Sequence, residues 1–116
     1  MQSIEVVCYY FFSKINEMYK DIISYKLAKG ISEEHLISVS KNVIDKWMSK
    51  QKGFIKWEIH RNNENNYTDI VYWESKTDAK KSEKEMMNIP NASEWFACYE
   101  KGSITSENLS LIGKFS

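Results

Sequence analysis

"NNYTDIVYWESKTDAKKSEKEMM", residues 65–87, changes character halfway along its length. Ile70, Val71, Tyr72 and Trp73 form an unbroken apolar row, and a charged segment follows at once. β-Branched and aromatic side chains in so short a run suit a strand. Successive side chains of a strand point to opposite faces, so Ile70 and Tyr72 share one face and Val71 and Trp73 the other. Both faces are apolar, which predicts a strand covered on both sides. Ser75 and Asp78 then have the spacing of a capping box, predicting a helix to about Asn88. Ala79, Met86 and Met87 are its apolar positions. Lys76, Lys80 and Lys84 form a stripe that, with Asp78 and Glu83 interspersed, reads as a solvated face.

Working back toward the N-terminus, FIKWEIHR (54–61) alternates cleanly. Ile55, Trp57 and Ile59 fall on one face, and Lys56, Glu58 and His60 on the other. The polar run NNENN joins this strand to the next as a hairpin loop. Ser32 opens a helix over about 33–51, with Leu36, Val39, Val43 and Trp47 at helical spacing and Gly53 as its stop. KDIISYKLA (20–28) is a strand that places Ile23, Tyr25 and Leu27 on one face. Beyond Pro90, Asn91 and Glu94 suggest a second capping box, on a short helix that carries Trp95, Phe96 and Tyr99. A last strand is expected around Leu109 to Ile112.

From residue 20 onward the order is therefore βαββαβ. Right-handed crossovers turn that order into an antiparallel four-stranded sheet with two helices on one face, a ferredoxin-like α+β fold. The exposed face of such a sheet needs a cover. A second copy of the chain supplies one, which predicts a twofold-symmetric homodimer. IEVVCYYFF (4–12) is expected to add an N-terminal strand. Residues 1–19 are accordingly read as an N-terminal extension and 20–116 as the domain.

Composition narrows the function classes. The 116 residues carry sixteen basic and sixteen acidic side chains, so the chain has no net charge with which to seek nucleic acid or an anionic membrane. No apolar run approaches the roughly 20 residues of a membrane span, and the first residues lack the features of a signal peptide. Cys8 and Cys98 are isolated and make no metal pattern, which fits a cytoplasmic protein with free thiols. Four glycines are too few for a dinucleotide-binding unit, and no phosphate loop or nucleophile elbow is present. Aromatic content, at 14% with four Trp and seven Tyr, points instead to a large apolar core, interface or pocket.

Gly53-Phe54 after the long helix, and Tyr72-Trp73-Glu74-Ser75 leading into the helix that contains Ala79, resemble the dimeric α/β-barrel superfamily, and within it the antibiotic biosynthesis monooxygenase-like proteins. The resemblance covers about residues 20–115. Members of the superfamily include cofactor-free oxygenases of polycyclic phenols and enzymes that degrade haem or chlorite. The haem-degrading branch uses an Asn on the first strand and a His after the second helix. Alignment on Lys29-Gly30 places Ile23 where that Asn belongs, and 91–101 contains no His. The resemblance thus implies a protein that uses no cofactor, neither haem nor metal.

His60 is the candidate catalytic group, because imidazole can act as a base near neutral pH. A partly exposed strand histidine beside Lys56 and Glu58 is the plainer reading. Tyr25, Trp57, Trp73, Trp95, Phe96 and Tyr99 are the candidate substrate-binding residues, since flat aromatic faces stack on a planar ligand. Ordinary packing competes with that role at each position, and at Trp47 helical spacing favours it. The expected function is binding of a small apolar or phenolic molecule, with cofactor-independent monooxygenation as the reaction. A non-catalytic, stress-related or ligand-sequestering dimer is the alternative. A cavity of about 300 Å³ or more that holds a titratable group favours ligand chemistry.

Overall fold

A computed structural model of the chain describes residues 18–116. The elements are β1 (Tyr19–Tyr25), α1 (Glu33–Lys46), β2 (Phe54–Arg61), β3 (Tyr67–Trp73), α2 (Lys76–Lys84), α3 (Ala92–Phe96) and β4 (Thr105–Ser110). The strand order is β2-β3-β1-β4, and every neighbouring pair is antiparallel. This is the ferredoxin-like arrangement expected from βαββαβ. The expected N-terminal strand over 4–12 lies outside the described residues. No helix among the described residues is long and apolar enough to cross a membrane.

Local chemistry sets the helix ends. The Ser32 hydroxyl accepts from the His35 backbone N–H at 3.1 Å and so caps α1. Ser75 does the same for α2, accepting from Asp78 N at 3.1 Å. Both helices end sooner than the sequence suggests. Trp47 leaves helical geometry at φ −136°, and the last part of the expected helix is a 3₁₀ turn, Met48–Lys50. A second 3₁₀ turn, Met86–Asn88, follows α2. Ile89 then takes the extended conformation that a residue before proline requires. Asn91 does not cap α3. Its amide instead donates to the Val39 carbonyl at 3.3 Å, which ties the start of α3 to α1.

Register assigns the two faces of the sheet. Tyr19, Tyr25, Tyr67, Val71 and Trp73 are buried beneath Leu36, Val39, Val43 and Ala79 of the helices. Phe54 pairs with Trp73 and Lys56 with Tyr72, so β2 bulges between them. Ile55 is the extra residue. It is 42% exposed, and Phe54 takes the place in the core expected for it. Gly53, just before the bulge, has φ +82°, and a Cβ there would collide with the Asp78 carboxylate. Only glycine meets both conditions.

The opposite face carries Lys56, Glu58 and His60 of β2, Thr68, Ile70 and Tyr72 of β3, and Lys20, Ile22 and Ser24 of β1. Ile70 and Ile22 pair at its centre, and Lys20 and Lys56 lie 5.0 and 4.5 Å from the centre of the Tyr72 ring. Ile70 and Tyr72 are only half-buried. The second face is thus apolar at its centre and charged around it, rather than apolar throughout. β4 runs over Thr105–Ser110, earlier than Leu109 to Ile112, and every residue in it is exposed. It is held by its register with β1 and not by burial.

Candidate functional site

A cavity of about 270 Å³ lies between the helix-facing side of the sheet and the helices. It is slightly smaller than the size expected of a ligand site. Trp47, Trp57, Trp73 and Trp95 all line it, and they are the four tryptophans of the chain. Each comes from a different element. Trp57 and Trp73 stand on β2 and β3, Trp95 is on α3, and Trp47 follows the end of α1. Trp57 and Trp95 meet edge to face, with ring centres 5.5 Å apart. Ile23 and Val71 complete the apolar floor.

The indole N–H groups of Trp57, Trp73 and Trp95 are buried and bonded to no acceptor among the described residues. A buried donor without a partner is costly, and native structures hold few of them. Each nevertheless faces a polar neighbour: Trp57 the Asp69 carboxylate, Trp73 that of Asp21, and Trp95 the Tyr99 hydroxyl.

Polar groups gather where α2 faces β1 and β4: Asp21, Ser106 and Asn108 from the sheet, and Lys80 and Glu83 from the helix. Lys80 and Glu83 pair at 3.3 Å. With its amide oriented so that both ends are satisfied, Asn108 donates to Asp21 Oδ1 at 2.9 Å and accepts from the Tyr19 hydroxyl at 3.1 Å. Burial, reinforced by Glu83, raises the Asp21 carboxyl above the usual carboxylate range; Lys80 and the Trp73 N–H oppose the shift.

Asp69 lies deeper, with 1% of its surface exposed. It shares the helix-facing side of β3 with Val71 and Trp73. The Tyr25 hydroxyl donates to its Oδ1 at 2.6 Å, and its Oδ2 has no partner among the described residues. Burial pushes this carboxyl up to about 6, against the opposing pull of the Tyr25 hydroxyl, the Trp57 N–H and His60.

Of the six aromatic candidates, Trp57, Trp73 and Trp95 line the cavity. Tyr25 and Tyr99 form a neighbouring cluster, their ring centres 4.4 Å apart, with Tyr67 stacked on Tyr25. Phe96 stacks on the outside of Trp95 and is 42% exposed. His60 is on the far side of the sheet from the cavity, 3.2 Å from Glu58 Oε1. Asp21, Asn108 and Asp69 escaped the sequence reading. Asp69 had a signal, since it precedes Val71 by two residues and so shares its face. A second depression, about 520 Å³, runs from Lys26 to Tyr67 by way of the hairpin loop. It is wide and open, and it encloses nothing. Among the described residues no three His, Cys, Asp or Glu side chains gather as metal ligands would.

No family model matches the sequence, and no curated protein matches it either. Solved structures do match. SnoaB, a cofactor-independent oxygenase from Streptomyces nogalater, superposes with TM-score 0.62 at 16% identity over 86% of this chain and 96% of that one. A hydroxynitrile lyase from Passiflora edulis gives TM-score 0.64 at 13% identity over 87% and 99%. A dimeric protein of unknown function from Bacteroides fragilis, described as having a ferredoxin-like fold, gives 0.57 at 18% over 81% and 96%. The fold is thus one shared with antibiotic biosynthesis monooxygenase-like proteins, as the resemblance implied. An oxygenase and a lyase on one backbone show that this fold does not dictate a reaction.

Proposed function

We propose that the protein binds a small apolar or phenolic molecule between sheet and helices, and that its reaction is cofactor-independent monooxygenation. The enclosure of one cavity by all four tryptophans carries this reading. In the reaction, a CH₂ flanked by phenolic rings loses a proton and becomes electron-rich enough to react with O₂. Two C–H bonds and the O–O bond break. One oxygen atom becomes the new carbonyl, and the other leaves as water. The protein's part is to exclude water, hold the ring system and accept the proton.

The working unit is a homodimer in which a second copy covers the open sheet face around Ile22, Ile70 and Tyr72. SnoaB, by its description, needs no cofactor, and the Bacteroides fragilis protein is dimeric, which supports both parts of the reading. Residues 20–116 are the folding unit, so a chain lacking 1–17 should still form the dimer.

The test is oxygen uptake by metal-stripped protein given a tricyclic phenol with such a CH₂, alongside native mass spectrometry. Stoichiometric binding with quinone formation supports the full reading. Tight binding without turnover selects a ligand-sequestering dimer. No binding rejects both.

A further inference from the structure

We infer that Asp21 is the proton acceptor of the cavity, taking the hydrogen bond and then the proton of a ligand hydroxyl. The inference rests on the cavity being a ligand site, and it names a group on the sheet, not on the helices. Among the described residues, three titratable side chains line the cavity: Asp21, Lys80 and Glu83. The last two belong to α2 and are paired with each other. Asp21 is on β1, directly across from Val71 of the cavity floor on one side and from Asn108 on the other.

Asn108 holds the carboxylate in place by donating to Oδ1 at 2.9 Å, while its own carbonyl is fixed by the Tyr19 hydroxyl. The Trp73 indole N–H approaches the same carboxylate without closing a hydrogen bond. A carboxylate held by a neutral amide, in a cavity walled by indoles, keeps its acceptor capacity for whatever enters. Among the described residues, the groups facing it are Tyr19 from its own strand, Trp73 from β3, Asn108 from β4, and Lys80 and Glu83 from α2. Burial reinforced by Glu83 brings its proton affinity closer to that of a phenol, which eases transfer. In the transfer, the ligand O–H bond breaks, an O–H bond forms on Asp21, and the electron pair stays on the ligand oxygen. Lys80 offsets part of the resulting charge. No co-reactant enters the step.

The probes are para-nitrophenol and nitrobenzene, nearly one shape, of which only the first has a hydroxyl. Titration calorimetry of each is run from mildly acidic pH downward, on the acid side of the phenol's own ionisation. Wild type should prefer para-nitrophenol by about tenfold or more, the usual effect of a hydrogen bond to a charged acceptor. That preference should fade in acid as Asp21 takes up a proton. Asp21→Asn should bring the ratio to within about twofold and abolish its pH dependence. A wild-type preference that is absent or independent of pH overturns the inference, and this arm stands even if the variant does not fold. An Asp21→Asn protein that keeps the full preference also overturns it. In both cases nitrobenzene still binds, and the cavity survives as a ligand site. If wild type binds neither probe, the cavity reading falls and Asp21 with it.

Discussion

The sheet repeats one pair of side chains on its two faces, a tyrosine donating to a carboxylate, and the two pairs behave oppositely. On the helix side Tyr25 donates to Asp69 at 2.6 Å. On the open side Tyr72 donates to Glu58 at 2.8 Å. The carboxylates stand on adjacent strands, one pairing step apart. Yet Asp69 is pushed up to about 6, and Glu58 is held down to about 2. For Asp69 burial dominates. For Glu58 the Tyr72, His60 and Lys56 hydrogen bonds dominate, because water still reaches the group. A hydrogen bond therefore does not fix a carboxylate's proton affinity; the medium on its side of the sheet decides whether the bond or desolvation prevails.

The sharpest way to break the contrast is to add a second carboxylate to each side. Val71→Asp places one in the dry layer beside the cavity and should cost roughly 4 kcal/mol or more. Thermal melting followed by circular dichroism should show a domain that is unfolded or barely folded. Tyr72→Asp should keep the fold and instead shift sedimentation from dimer to monomer. A Val71→Asp protein that melts like wild type would mean that the helix side is wet.

Removing the tyrosines separates the pairs next. Tyr25→Phe strips Asp69 of its closest donor and should cost roughly 2–3 kcal/mol in urea unfolding at neutral pH.

The pH dependence of stability should show both signs. Asp69 has a folded value of about 6 against an ordinary 3.8, so the folded protein holds this proton more tightly than the unfolded chain does. Its contribution is complete below the ordinary value and is lost as pH rises to about 6, by roughly 3 kcal/mol. Glu58 has the opposite sign. Its contribution is present above the ordinary 4.5 and is lost as pH falls through about 2. Urea unfolding from acid to neutral pH should reveal the first decline, and Asp69→Asn should flatten it. The smallest effect is Tyr72→Phe, which loses a half-buried bond to a solvated carboxylate and should leave the urea midpoint of the separated protomer almost unchanged.

How much of this was legible follows the same division. Alternation in KDIISYKLA and FIKWEIHR, and the apolar row at 70–73, located three strands and the helix-facing side. Starting β3 at Ile70 hid Asp69, although the same period-two count that buries Val71 and Trp73 reaches back to it and to Tyr67. β4 could not be read from hydropathy, because TSENLS buries nothing; Asn108 matters through its register with Asp21, a contact 87 residues away in the chain. The Ile55 bulge arises from a fit to β3 that no local pattern records. Asn91 matched a capping position, but its Nδ2 is turned to a carbonyl of α1, distant in sequence, and its Oδ1 reaches none of the local amides.

The placement of all four tryptophans around one cavity also makes the molecule its own optical reporter. No indole elsewhere contributes a constant background, so nearly the whole of the intrinsic ultraviolet emission arises at the proposed binding space. An incoming molecule that absorbs in the near ultraviolet can extinguish most of that light rather than a fraction of it. Even a transparent one replaces the surroundings of three unpartnered N–H dipoles, to which indole emission colour is sensitive. A compound library can be screened on unlabelled protein, with no substrate known in advance.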